Sequence, residues 1–110
     1  MRPIYSFYQE LSEEATPLPR RRCDYVLLSA EPLLLDDTRI APDANGTYKT
    51  TGKEVVWGIG GEAVHTLYVG ETSILIPVED LSNIVVRAVN PTAGQIVAFT
   101  CFIEAQEQLL

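Results

Sequence analysis

From Cys23 onward, apolar residues recur with a period of two. Cys23, Tyr25 and Leu27 alternate with Asp24, Val26 and Leu28; Val55, Trp57 and Ile59 alternate with Glu54, Val56 and Gly58. Ile74, Ile76 and Val78 alternate with Ser73, Leu75 and Pro77, and Val97, Phe99, Cys101 and Ile103 alternate with Ile96, Ala98, Thr100 and Phe102. Successive strand side chains point to opposite faces, and β-branched and aromatic residues suit a pleated, half-buried surface. Several runs are apolar on both faces, as in a sandwich core or a subunit interface. Turn signals separate the runs: Asp43-Ala44-Asn45-Gly46, Thr51-Gly52-Lys53, Gly60-Gly61, Gly70-Glu71, Glu79 to Asn83 and Asn90 to Gly94. Asn45-Gly46 is the strongest hairpin signal among them. The pattern predicts about eight short strands over residues 23–30, 33–36, 38–41, 47–51, 53–59, 63–69, 73–78, 83–89 and 95–105, with the second and third as one bent strand. The expected fold is an all-β antiparallel sandwich, jelly-roll or Ig-like. Its core should hold Val55, Trp57, Ile74, Ile76, Ile84, Val86, Val97 and Phe99, with a single turn at Glu79 to Ser82.

Residues 1–22 read differently. They carry four of the eight basic residues, Arg2, Arg20, Arg21 and Arg22, and three of the nine aromatics, Tyr5, Phe7 and Tyr8. Pro17 and Pro19 resist helix, and a helix over Phe7 to Glu14 would be too short to persist alone. This composition predicts an extended N-terminal arm (residues 1–22) ahead of a β-sandwich domain (residues 23–110), ordered against a neighbouring chain. Tyr5, Phe7, Tyr8 and Leu11 are the expected apolar anchors, with Arg20, Arg21 and Arg22 facing a partner's acidic surface.

Composition narrows the function. With 110 residues and 46% hydrophobic residues, the chain supports one compact domain. Its net charge of −7 argues against a duplex nucleic-acid binder, which needs a basic face. No apolar run approaches the length of about 18 residues that spans a bilayer. The start, Met1 to Glu10, argues against a signal peptide. Cys23 and Cys101 are then expected as buried free thiols.

Candidate chemistry is sparse. His65 is the only histidine and lies mid-strand with no nucleophile or carboxylate motif around it. One His and two distant Cys lack zinc-ligand spacing, so no metal or cofactor is expected. Gly58-Ile59-Gly60-Gly61 is followed by a strand pattern rather than a helix, which favours a tight turn over a phosphate loop. The doublets Asp36-Asp37 and Glu79-Asp80 read as solvated turn acids. No catalytic constellation emerges, and the chain is expected not to be an enzyme.

One segment adds a resemblance. Leu67 to Ala88, with Gly70, Pro77-Val78, the corner Asp80-Leu81-Ser82-Asn83 and the strand Ile84-Val85-Val86-Arg87-Ala88, resembles the C-terminal half of small β-sandwich structural proteins of tailed bacteriophage virions. Gly94 to Phe102 is similar to their final strand. The resemblance implies a non-enzymatic virion protein assembled in the host cytoplasm. A capsid decoration or cement subunit is the first expectation, bound to the major capsid protein or other virion proteins and forming a homo-oligomer. A neck or tail component and a carbohydrate-binding sandwich are the alternatives.

Overall fold

The computed structural model describes residues 1–104, and within them the chain is built from strands and one short 3-10 turn. The strands are β1 (Arg2–Glu10), β2 (Thr16–Pro17), β3 (Tyr25–Leu34), β4 (Val55–Ile59), β5 (His65–Leu67), β6 (Ile76–Pro77), β7 (Ile84–Ala88) and β8 (Gln95–Ile103). They form two four-stranded sheets, ordered β1-β8-β3-β6 and β2-β7-β4-β5. Every pairing is antiparallel. First pairs with last, second with seventh, third with sixth and fourth with fifth, and successive pairs fall in alternate sheets. One long hairpin folded over on itself gives this nesting, which is the jelly-roll arrangement and decides against the Ig-like alternative.

The inner faces follow the alternation. Val26, Leu28 and Ala30 of β3, Val97, Phe99 and Cys101 of β8, Val55 and Trp57 of β4 and Ile84, Val86 and Ala88 of β7 are buried in one cluster. Ile76 is buried as expected, but Ile74 is 73% exposed, a correction to the expected core. The chain from Gly70 to Leu75 runs beside β3 with one isolated bridge, Ser29 to Thr72, instead of a regular ladder, and the Gly70 and Ala30 amides donate to the Ala30 and Glu71 carbonyls at 2.7 and 3.0 Å. Ser73 donates its amide to the Leu28 carbonyl at 2.8 Å and accepts the Leu28 amide on Oγ at 2.9 Å. That double contact breaks the period of two and turns Ile74 outward. The corner at Asp80 forms as expected: Asp80 caps the 3-10 turn Leu81–Asn83, its Oδ1 accepting from the Ser82 amide and hydroxyl.

The expected arm is corrected. β1 pairs with β8 along its length, with one bulge between Pro3 and Tyr5. β2 pairs with β7, and Leu11 and Leu18 are buried in the main core. Residues 1–22 therefore belong to the sandwich, and residue 22 marks no domain boundary. Ile4-Tyr5-Ser6-Phe7-Tyr8 has strong strand propensity, and β8 needs a partner on that side. The segment is extended, but against its own chain.

The strands expected over 38–41 and 47–51 do not form. Leu35 to Glu54 is an irregular excursion whose backbone groups are met by local turn bonds, such as the Asp43 amide to the Thr47 carbonyl, and by side chains instead of a ladder. Asp43 organises it. Oδ1 accepts the Asn45 and Thr47 amides, both at 2.9 Å, and Oδ2 accepts the Thr47 and Thr50 hydroxyls at 2.7 and 2.6 Å. Leu34, Ile40 and Val69, with Tyr48 packed against them, form a small second core beneath the loop. The turn at Gly60-Gly61 is a tight one, as the sequence indicates, with positive φ at both glycines. Gly58 in β4 is required by contact, since a Cβ there would collide with the Glu62 backbone carbonyl.

Candidate interaction surface

The chemistry-bearing residues are dispersed. His65 lies exposed on the edge strand β5, its ring 4.5 Å from that of Trp57. Among the described residues, no group of three or more His, Cys, Asp or Glu could hold a metal ion. Asp80 is held below the usual carboxylate range by the Ser82 hydroxyl and amide, with Arg20 adding to the effect. Asp43 is held well below that range by the Thr50 and Thr47 hydroxyls. Both carboxylates are saturated structural acceptors rather than poised acids or bases. Cys23 and Cys101 are free and buried. Burial, with the adjacent Cys101 thiol contributing, pushes the Cys23 thiol up to about 12. Burial raises the Cys101 thiol as well. A thiol held neutral is a poor nucleophile.

The surface offers two features. One is a cleft of about 490 Å³ between β5 and the β6 segment. Trp57 and His65 line it, with Ile59 and Ile74 on its rim. Trp57 is only 7% exposed, as the core expectation requires, so it presents no open platform for a sugar.

The other is the edge of β1, which is free among the described residues. Tyr5, Phe7 and Gln9 pair with Cys101, Phe99 and Val97, so their side chains lie on the core-facing side of the sheet. Ser6 and Tyr8 lie on the outer side, where Ser6 donates to Thr100 Oγ1 at 3.1 Å. The opposite sheet covers this margin only with the two-residue β2, so the core-facing side opens to solvent there. Tyr5 is half-buried, its ring 6.0 Å from Phe99, and the Arg21 guanidinium lies 4.1 Å above it. The Phe7 ring lies 6.3 Å from that of Tyr5 and is 51% exposed; Tyr8 is 45% exposed. Their rings stack at 4.8 Å, only 5° from parallel. Neighbouring strand residues start on opposite faces, so both rings must lean around one rim of the strand. The β8 side is filled, so the stack lies along the free rim.

Of the expected partner-binding residues, the structure brings Tyr5, Phe7, Tyr8 and Arg21 to this edge. Leu11 is corrected: it is buried and takes no part in a surface. Arg20 lies 3.4 Å from Asp80 of its own chain, and Arg22 forms a backbone bridge to the same residue, so this basic run first serves the Asp80 corner. Ile59, Val64 and Ile74 are exposed apolar residues that the alternation pattern does not place on the surface. Their neighbours Gly60, Gly61 and Gly70 are the available signal, because runs flanked by turns lose strict alternation. No family, curated protein or solved structure matches the chain.

Proposed function

We propose that the chain is a non-enzymatic assembly subunit that docks on neighbouring protein chains through the free edge of β1. Its proposed setting is the particle of a tailed bacteriophage, as a capsid decoration subunit contacting the major capsid protein and further copies of itself. The observation that carries the assembly reading is the exposed Phe7–Tyr8 stack on an edge strand whose core-facing side is left uncovered. Exposed aromatic patches of this kind mark interaction sites, and open strand edges invite added chains. The virion setting rests on the resemblance of residues 67–102. Jelly rolls serve in viral capsids and in lectins alike, so the topology supports that setting by analogy alone. The buried Trp57 favours assembly over a sugar-binding role.

The test pairs particle composition with a double variant, Phe7→Ser/Tyr8→Ser. The native chain should be present in hundreds of copies per purified particle. A count of about five, six or twelve, as a symmetric ring would require, moves it to the neck or tail. The folded double variant should incorporate at least about tenfold less. Full incorporation removes β1 as the docking edge, and a native chain missing from purified particles overturns the virion setting.

A further inference from the structure

The free rim of β1 is complementary to itself. The Leu11 amide donates to the Gln95 carbonyl at 2.8 Å. Antiparallel alternation then turns the backbone groups of Tyr5, Phe7 and Gln9 toward β8 and those of Ser6, Tyr8 and Glu10 toward solvent. The bulge between Pro3 and Tyr5 interrupts this order, so the regular rim begins at Tyr5. The strand is also polarised. Arg2 stands at one end, and Glu10, with the exposed Glu13 and Glu14 beyond it, at the other. Arg2 and Glu10 make no ion pair with another described residue. An antiparallel neighbour of the same sequence places each basic end beside an acidic end; a parallel one places like beside like.

We propose that β1 pairs antiparallel with β1 of a second copy of this chain, with the two-fold axis at Phe7. This rests on the reading of the β1 edge as the docking surface and names its first occupant. Ser6 exchanges both backbone hydrogen bonds with the partner's Tyr8, and Tyr8 with the partner's Ser6. Phe7 faces the partner's Phe7 on the core-facing side, covering the aromatic that its own chain leaves open. On the outer side Tyr8 lies over the partner's Ser6 and diagonally beside the partner's Tyr8, within reach of an aromatic ring. In the lone chain the Phe7–Tyr8 stack shields the rim; on pairing each ring swings back to its own face, a rotamer change that is fast for exposed side chains. Each four-stranded sheet containing β1 thereby becomes half of a continuous sheet across the dimer.

Sedimentation equilibrium of the purified full chain should show a concentration-dependent dimer. Ser6→Pro removes a rim-facing amide and, with a folded state verified by its melt, should weaken the dimer at least about tenfold, since two of four ladder bonds are lost. Register is read independently by crosslinking. Residues facing each other at a non-hydrogen-bonded position lie about 4.5 Å apart at Cα, inside disulfide range. Under mild oxidation Phe7→Cys should therefore give a linked dimer much faster than Glu10→Cys. A chain that stays monomeric at every concentration, or a Phe7→Cys variant that links no faster than Glu10→Cys, overturns the proposal. Purified protein suffices for both measurements. A lost dimer with particle incorporation still dependent on Phe7 and Tyr8 means that the edge docks on a different protein, whereas a confirmed dimer with no particle incorporation removes only the virion setting.

Discussion

Leu18→Ala tests whether the N-terminal segment is part of the fold. Leu18 is 1% exposed in the main core, and its amide donates to the Ile84 carbonyl at 2.9 Å, which holds the segment against β7. The substitution removes three buried carbons, worth about 0.8 kcal/mol each as transfer free energy. The cavity left between Leu18 and its neighbours adds to this, for a total of about 3–4 kcal/mol. A domain of this size has a stability of about 5–15 kcal/mol, so the loss is a large fraction of it. The melting temperature should fall by about 12–16 °C. Urea unfolding monitored by fluorescence of the single tryptophan, Trp57 in β4, reads the change from the same sheet. Ile74→Ala, at a position 73% exposed, is the matched control and should cost less than about 0.5 kcal/mol. A Leu18→Ala loss below about 1 kcal/mol would show that the segment folds apart from the sandwich, and the reasoning would fail.

The packing and the titrating groups set three further outcomes. Gly58→Ala should destabilise more than Gly60→Ala, because only the former drives a Cβ into the Glu62 carbonyl; paired urea melts compare them. Cys23 and Cys101 should resist alkylation in the folded chain and give two thiols per chain after denaturation. Because folding raises the Cys23 thiol to about 12, its contribution is complete below the unfolded value near 8.5 and is lost as pH rises from there toward 12; thermal melts should fall over that window, and less steeply in Cys23→Ala. Asp43 shifts the opposite way: its stabilisation holds above the ordinary carboxylate value near 3.9 and is lost as pH falls below it, so Asp43→Asn should melt lower at neutral pH and flatten the acid limb.

The strands that carry the core were legible because burial on one face enforces strict alternation. β4, β7 and β8 fall within a few residues of their expected bounds, and Val55, Trp57, Val86, Val97 and Phe99 point inward. β1 was legible as extended chain but not as part of the sheet. Its inward set, Tyr5, Phe7 and Gln9, faces a margin that β2 barely covers, so the pattern never becomes cleanly apolar on one side. The aromatics singled out as a partner surface are therefore an edge of the domain itself. The 35–54 excursion misled because Asn45-Gly46 marks a turn without marking strands. Around that turn Thr47 and Thr50 bond to Asp43, a local solution that alternation cannot display. Ile74 failed for a similar reason, since Ser73 takes the bonds that a regular strand would have made.

The pairing of the first strand with the last sets the order in which this chain can be made. Closing β1 onto β8 joins positions about a hundred residues apart, and contacts of such separation form late and slowly. During synthesis Tyr5, Phe7 and Tyr8 leave the ribosome well before β8 and wait for their strand partner until Ile103 has emerged behind them. Throughout that interval the nascent chain displays a bare aromatic strand, the kind of segment that aggregates or recruits chaperones. The exposed strand makes the chain's birth hazardous, and expression at low temperature or slow translation should favour soluble protein.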